Sequence, residues 1–198
     1  MAADGWNFTA YVDPVNNGNN QVYSGNPNED KHGTHIAGII GAGINNYGIE
    51  GVAPNVKILP VKCFIVDTGT VANVIRGIQY AEMMGAAIVN CSWGSHNYSQ
   101  ALYDAMNMSN MLFVCAAGNT GIDTAQTPYY PATYDLDNIV SVAAIDNTGD
   151  LADFSNYGSN ISIAAPGKQI YSTVPNYSHA YMDGTSRAAP FAAGLPHY

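Results

Sequence analysis

The stretch MLFVCAAGNTG, residues 111–121, decides the fold class of this chain. Its first seven residues are apolar without a break, which is too few for an amphipathic helix and typical of a strand buried on both faces. The glycines that follow end the strand in a turn. Similar apolar runs lie at 56–65, 86–91 and 139–145. Several such strands predict a parallel sheet that is covered on both sides.

The segments between these runs have the spacing of helices. Apolar residues recur three and four positions apart in two of them: Val71, Val74, Ile75 and Ile78, and then Leu102, Ala105 and Met106. Strands that alternate with helices predict βαβ units. We therefore expect one α/β domain over residues 1–198, with a doubly wound, mostly parallel sheet and helices on both faces. The Asn- and Gly-rich residues 11–30 are predicted to form a surface loop.

The composition excludes several classes of protein. The 198 residues include 6 Lys and Arg against 15 Asp and Glu, a formal net charge of −9, which is opposite to the basic surface that nucleic acid requires. No apolar run approaches the ~20 residues of a membrane-spanning helix. Cys63, Cys91 and Cys115 lie in apolar runs and are interpreted as small buried hydrophobic residues. The first ten residues contain no signal-peptide pattern.

The segment DGTSRAAP, residues 183–190, places a serine at the start of a helix. Gly184 and Thr185 lead into Ser186, and small residues continue the helix, with Pro190 expected in its first turn. There the hydroxyl of Ser186 would lie at the positive end of the helix dipole, which favours a nucleophile and the oxyanion that it creates. The alternative is that Ser186 only caps the helix.

Three other segments contain candidate functional residues. HGTHIAG at 32–38 contains His32 and His35, which could form half of a metal site, although no further ligand completes a known spacing. Asn119 follows the central apolar run, where either turn chemistry or a functional group is typical. NCSWGS at 90–95 ends another run with a glycine, so that backbone amides can face an extended ligand.

In this order and spacing, the segments resemble those of the subtilisin-like serine proteases, or subtilases. HGTHIAG resembles the family's histidine motif, GTSRAAP its serine motif, and GNTG the segment that supplies an oxyanion-hole amide. GWNF, GVAPNVKILPVK and ISIAAPGKQIYST are also similar to family segments, so the resemblance covers roughly residues 5–195. It implies a serine endopeptidase that cleaves extended polypeptide through an acyl-enzyme.

The resemblance implies a role for each matching residue. His32 would be the general base and Ser186 the nucleophile, and the Asn119 side chain would bind the oxyanion. Two segments would hold the substrate as an added strand: Thr68, Gly69 and Thr70 on one side, and Ser92, Trp93 and Gly94 on the other. Tyr129 lies where the family lines its primary specificity pocket, and its bulky phenol is expected to narrow or close that pocket.

The sequence departs from the family pattern at several points. The family's triad aspartate lies on a buried strand before the segment that matches GWNF, and Asp4, which directly precedes GWNF, follows no apolar run. The chain ends at LPHY, before a further helix of the family. We therefore expect a catalytic domain that is truncated at both ends and lacks the aspartate strand. Arg187 replaces the usual methionine after the nucleophile.

These departures predict an impaired protease. The alternative is a binding protein rather than an enzyme: a catalytically silent subtilase-fold module that binds a peptide or a partner chain. A sheet without a central strand has unpaired edges, so we expect self-association through these edges, as a two-fold dimer. We expect polypeptide substrates as partners and neither nucleic acid nor membrane, and the resemblance implies a secreted or cell-surface protein.

Two further segments suggest other chemistry. IVDTG at 65–69 has the letters of the aspartic-protease signature, but that class needs a second such motif or a symmetric dimer of a mainly β chain. The loop GINNYGIEG at 43–51 resembles a calcium-binding loop of the subtilases but is about one residue short. We therefore expect no structural calcium, no catalytic metal and no other cofactor.

Overall fold

The computed structural model describes residues 5–9, 20–65 and 68–195. None of the helices in these ranges is long and apolar enough to cross a membrane. In chain order, the elements are β1 (Trp6–Asn7), α1 (Pro27–Gly41), β2 (Val61–Lys62), β3 (Phe64–Ile65), β4 (Thr68–Gly69), α2 (Val71–Met83), β5 (Ile88–Cys91), α3 (Gln100–Asn107), β6 (Leu112–Ala116), β7 (Ile139–Ile145), β8 (Ile163–Pro166), β9 (Ile170–Val174), β10 (Ser178–Met182) and α4 (Thr185–Gly194).

The central sheet consists of β5, β6, β7 and β8 in that order, and all neighbouring strands are parallel. Val114 of β6 lies between Asn90 of β5 and Val140 of β7. The predicted α/β fold with a mostly parallel sheet is confirmed, and three of the four apolar runs contain its strands. The run at 56–65 differs, because within it only the two-residue strands β2 and β3 form.

Side chains of β6 alternate between two hydrophobic layers. Phe113 and Cys115 pack with residues of α2 and α3, whereas Val114 and Ala116 pack with small side chains of α4. All four are fully buried. This alternation is what a strand with two covered faces requires. The predicted placement of helices on both faces of the sheet is confirmed.

β1 and β2 pair in parallel outside the central sheet. Trp6 lies beside Val61, and Asn7 lies beside Lys62. Within the described residues, no strand pairs with the outer edge of β5, and the first three residues of β5 are only half-buried. This open edge agrees with the prediction that the sheet lacks a strand. Association of two copies through such an edge stays a prediction.

α1 begins at Pro27, within residues 11–30, for which the sequence predicts a loop. Asn26 caps the helix with its side chain, Pro27 is the first helical residue, and two acidic residues lie in the first turn. These three features stabilise a helix N-terminus, so the loop prediction is wrong for residues 27–30. Residues 10–19 of the predicted loop lie outside the described residues.

The hairpin of β9 and β10 packs against α1. Ser172 Oγ donates to the carbonyl oxygen of His35 at 2.8 Å, and Thr173 Oγ1 donates to that of Thr34 at 3.0 Å. Gly38 permits this approach, because a Cβ there would overlap the hydroxyls of Ser172 and Thr173. α1 also packs against α4. The helix that carries both histidines is therefore fixed between the hairpin and α4.

All three cysteines are free thiols. Cys91 and Cys115 are fully buried and lie side by side on adjacent strands. Cys63 is only partly buried, so the prediction of burial is confirmed for the first two and wrong in degree for the third. Burial, and to a smaller extent the electrostatic effect of Cys91, raise the pKa of Cys63 to about 12. This thiol therefore stays protonated at neutral pH and behaves as a hydrophobic residue.

Candidate active site

Ser186 is the second residue of α4. The residue that caps this helix is Gly184, which has a φ of 134° and makes no side-chain capping bond. Residues other than glycine rarely adopt this backbone conformation. The alternative that Ser186 only caps the helix is therefore wrong. Its half-buried side chain lies in the first turn, at the positive end of the helix dipole.

Pro190 frees the carbonyl group of Ser186. It is the sixth residue of α4, so its prediction in the first turn is wrong. Another residue at this position would donate its N–H to the Ser186 carbonyl oxygen, but proline has no N–H. Ser92 Oγ donates to that oxygen instead, at 2.9 Å, and accepts from Asn90 Nδ2, also at 2.9 Å. The end of β5 is thereby bonded to the first turn of α4.

Asn119 is held against the same turn by Thr185. Asn119 Oδ1 accepts from the backbone N–H of Thr185 at 2.7 Å and from its Oγ1 at 2.9 Å. Thr185 Oγ1 accepts in turn from the backbone N–H of Gly118 at 3.1 Å. Because two donors engage Oδ1, the amide nitrogen Nδ2 must point away from Thr185. Sequence reasoning did not single out this fully buried threonine, although a hydroxyl residue beside the helix cap is a readable signal.

Donors of Asn119 and Ser186 approach one small volume beside Gly184. A Cβ placed on Gly184 would lie 3.4 Å from Asn119 Nδ2, 3.6 Å from Asn119 Oδ1, which Thr185 already occupies, and 3.7 Å from the backbone nitrogen of Ser186. An oxygen slightly closer to both nitrogens could accept a hydrogen bond from each. Two fixed N–H donors that face one point can stabilise an oxygen that becomes negatively charged. Glycine at position 184 keeps that volume open.

His32 lies on the second turn of α1 and is exposed. Since α1 packs directly against α4, the helix that carries His32 adjoins the helix that carries Ser186. His35, one turn further along α1, is fully buried, and its Nε2 lies 3.1 Å from the carbonyl oxygens of Ile170 and Ala180. Burial lowers the pKa of His35. The ring is therefore neutral at pH 7, and one Nε2 hydrogen faces two acceptors.

Two segments were considered above as metal sites: the histidine pair of α1 and the loop at 43–51. Nε2 of His35 is engaged with backbone carbonyls, and among the described residues no group of three His, Cys, Asp or Glu side chains is placed to hold a metal ion. In the loop at 43–51, Gly48 packs against the ring of His179, and the ring of Tyr47 lies 5.8 Å from that same ring. The loop therefore rests on the β9–β10 hairpin.

The two predicted substrate-binding segments lie next to each other. Thr68 and Gly69 form β4, which pairs with β3, and Thr70 caps α2 through its hydroxyl. All three residues are exposed. The ring of Phe64, on β3, lies 5.7 Å from the ring of Trp93, between Ser92 and Gly94 in the second segment. This aromatic contact links the two segments.

Tyr129 fills the space between the ends of β5 and β6. A Cβ on Gly94 would lie 2.5 Å from Tyr129 Cε1, and one on Gly118 would lie 3.0 Å from Tyr129 Cδ1. The phenol therefore packs against both glycines, and its ring centroid lies 5.2 Å from that of His96. Burial raises the pKa of Tyr129. That this volume is the primary specificity pocket stays a prediction.

Asp4, which directly precedes GWNF, and Asp67, the aspartate of the IVDTG segment, lie outside the described residues. The same is true of the last three residues of LPHY, residues 196–198. The absence of the family's aspartate strand and the truncation at both ends therefore stay predictions.

Comparisons with known proteins all indicate the same family. A sequence profile of the subtilase family matches residues 6–195. The chain is 41% identical to a thermophilic serine proteinase of Bacillus sp. (strain AK1), covering 84% of this chain and 41% of that protein. It is 39% identical to thermitase of Thermoactinomyces vulgaris, covering 96% of this chain and 64% of thermitase.

A solved structure is similar as well. The crystal structure of a cold-adapted subtilisin-like serine proteinase matches with a TM-score of 0.74 and 33% identity, covering 85% of this chain and 60% of that chain. This chain thus spans less than two thirds of the length of each of these three proteins.

Proposed function

The chain belongs to the subtilase family, and from this premise we propose that it hydrolyses peptide bonds of extended polypeptides through an acyl-enzyme. Ser186 is the nucleophile, His32 is the general base, and Asn119 stabilises the oxyanion. The chemistry needs one hydroxyl, one base and two N–H donors, so the proposal invokes no metal and no cofactor.

The arrangement around Gly184 carries this proposal. Thr185 fixes the Asn119 carboxamide through two hydrogen bonds to Oδ1, which turns Nδ2 toward the volume that the Ser186 backbone nitrogen also approaches. A helix that needed only a cap would not require a buried threonine and an asparagine from another strand end beside its first turn. Donors fixed in advance cost no reorganisation during the reaction, which is what oxyanion stabilisation requires.

The proposed reaction moves one proton through His32 at each of its two stages and passes through an acyl-enzyme. Ser186 Oγ attacks the carbonyl carbon of the peptide bond, and its proton passes to the imidazole of His32. The carbonyl oxygen becomes negative and accepts hydrogen bonds from Asn119 Nδ2 and the Ser186 backbone N–H. The C–N bond then breaks, and His32 gives its proton to the leaving amine. Water repeats the sequence and releases Ser186 with the carboxylic acid product.

The substrate would bind as an added strand between the two exposed segments that the Phe64–Trp93 contact links. Glycines at positions 69 and 94 make room for the rings of Phe64 and Tyr129, which lie where a Cβ would be. Tyr129, packed against Gly94, would leave little room for a large substrate side chain. A minor extracellular protease of Bacillus subtilis is among the relatives, and we propose that this chain also acts outside the cytoplasm.

We further propose that turnover by this chain is slow. The resemblance predicts that the strand that carries the family's triad aspartate is missing, and removal of that aspartate costs subtilisin roughly 3 × 10⁴-fold in kcat. The oxyanion donors do not depend on it, because they are fixed by Thr185 and Gly184. The expected enzyme therefore reacts slowly but at a defined serine.

The test is labelling of the 198-residue chain with a fluorophosphonate, followed by mass mapping of the labelled peptide. We expect the label on Ser186, its loss in Ser186→Ala and slower labelling in His32→Ala. Ser178→Ala, which removes an exposed hydroxyl on β10, is the matched control and should label normally. A folded chain that shows no preference for Ser186 would contradict the proposal and favour the catalytically silent peptide-binding module.

A further inference from the structure

The first turn of α4, which contains Ser186, departs from regular helical bonding. In a regular helix the carbonyl oxygen of Ser186 would accept from the N–H of residue 190, but Pro190 has no N–H. A proline ring inside a helix also crowds the carbonyl group four residues earlier, which here is that of Ser186. Bonding to position 190 therefore does not hold this carbonyl, and a group from outside α4 can decide where the Ser186 backbone lies.

The hydroxyl of Ser92 contacts the carbonyl group that Pro190 frees. Ser92 is 6% exposed, and its Oγ lies 2.9 Å from the Ser186 carbonyl oxygen and 2.9 Å from Asn90 Nδ2. A carbonyl oxygen can only accept, so the single hydroxyl hydrogen of Ser92 points to Ser186, and Ser92 Oγ accepts from Asn90. Asn90 thereby fixes the direction in which the Ser92 hydroxyl donates.

The other end of the Asn90 carboxamide is unsatisfied. Asn90 Oδ1 is buried and has no hydrogen-bond partner among the described residues. A buried acceptor without a partner is destabilising, and an apolar side chain would avoid that loss in a strand whose partner residue at this position is Val114. The stability of the sheet therefore does not explain the asparagine, whereas the orientation of the Ser92 hydroxyl does.

We propose that Ser92, oriented by Asn90, is a positioning residue for the nucleophile. This inference rests on the proposed role of Ser186. The bond from Ser92 fixes the Ser186 backbone, and with it both the attacking Oγ and the backbone N–H that approaches the volume beside Gly184. A misplacement of about 1 Å can lower the rate of a positioned reaction by about 10²-fold. Without the Ser92 hydroxyl, Ser186 keeps its chemistry but loses its fixed position.

The first measurement is the rate of fluorophosphonate labelling of Ser186 in folded variants. We expect Ser92→Ala to lower this rate by about 10–100-fold. Asn90→Asp should lower it as well although Ser92 is still present, because the Ser92 hydrogen then turns to the carboxylate and leaves Ser186. Ser109→Ala, which removes another buried serine hydroxyl after α3, is the matched control and should label at the original rate. A folded Ser92→Ala chain that labels as fast as the unmodified chain overturns the inference.

An NMR measurement separates this inference from the proposed hydrolysis. Ser186 and Arg187 form the only Ser–Arg pair in the sequence, so labelling with carbonyl-¹³C serine and ¹⁵N arginine gives one carbonyl–amide signal, that of Ser186. Loss of the hydrogen bond should move its ¹³C shift upfield in Ser92→Ala and Asn90→Asp but not in Ser109→Ala. A signal that Ser92→Ala leaves in place overturns the inference. Absence of Ser186 labelling in the unmodified chain counts against the proposed function alone, and the NMR signal then decides the inference.

Discussion

The two halves of the chain differ in how their strands pair. The earlier half runs from β1 to α2, and the later half runs from β5 to α4. In the later half, β5 to β8 have four to seven residues each and form one continuous parallel sheet, and β9 and β10 form a separate antiparallel hairpin. In the earlier half, the four strands have two residues each and pair only in twos. The later half contains Ser186 and Asn119, and the earlier half contains His32.

This difference separates the two parts of the proposed catalytic machinery. Asn119 and Ser186 are fixed by bonds between β5, β6 and α4, which all belong to the later half. His32 lies on a helix that packs against the β9–β10 hairpin and α4 and accepts two hydrogen bonds from the hairpin, and an ion pair between Asp30 and Lys62 joins this helix to β2 of its own half. The nucleophile and the oxyanion donors are therefore bonded within one half, whereas the base lies on a helix that is held mainly by elements of the other half.

The largest expected effect is a difference between the two halves in the stability that a buried side chain contributes. Phe113 is fully buried in β6, whereas Phe64 in β3 is only partly buried. Phe113→Ala should lower the free energy of unfolding by about 3–5 kcal/mol, because it leaves a cavity in close-packed surroundings. Phe64→Ala should cost only about 1–2 kcal/mol. Urea denaturation measures both, and equal losses would contradict the difference between the halves.

A slightly smaller effect tests the organisation of the oxyanion donors. Asn119→Asp keeps an oxygen for the two bonds from Thr185 but replaces the Nδ2 donor with a second acceptor. The rate of fluorophosphonate labelling of Ser186 should fall by about 10²–10³-fold, with little change in the melting temperature. Asn147→Asp, which makes the same charge change at an exposed position, should label at the original rate. An unchanged rate in Asn119→Asp would remove this residue from the proposed mechanism.

The smallest effect concerns how α1 is held. The pKa of His35 is about 6.5 in the unfolded chain and lower in the folded chain. As the pH falls below 6.5, the unfolded chain takes up a proton that the folded chain does not, so stability decreases until the folded pKa is reached. The slope should be at most about 1.4 kcal/mol per pH unit.

Chemical denaturation between pH 8 and pH 5 measures that slope. His35→Gln should flatten it, because an amide can still donate toward the carbonyls of Ile170 and Ala180 but does not titrate. His96→Gln, an exposed control on the loop after β5, should retain it. A slope that His35→Gln leaves unchanged would show that another group is responsible for the loss of stability in acid.

Much of the fold was predictable because its signals are local. The apolar runs predicted β5, β6 and β7, since a strand covered on both faces needs continuous apolar residues whatever its neighbours are. The start of α1 was also readable, because Asn26 and Pro27 have the residue types of a helix cap and a first turn. The loop prediction is wrong for residues 27–30 because composition averages over a whole segment, whereas a helix start is set by a few residues at one position.

The catalytic candidates were predictable only as a set. Each of HGTHIAG, GNTG and GTSRAAP is compatible with ordinary turns and caps, and their order along the chain indicates the family. The positioning contacts were not predictable, because Thr185 contacts Asn119 across 66 positions and Ser92 contacts Ser186 across 94. No periodic pattern carries information over such distances.

The sequence by itself determined the α/β class, the alternation of strands and helices, and the residues that resemble the subtilase motifs. These follow from residue spacing and turn chemistry, which act over a few positions. Only the tertiary structure decided that Tyr129 packs between two glycines, that Ser92 satisfies the carbonyl freed by Pro190, and that Nε and Nη1 of Arg187 are buried without a hydrogen-bond partner among the described residues. Each depends on which distant segments meet and on the exclusion of water where they do.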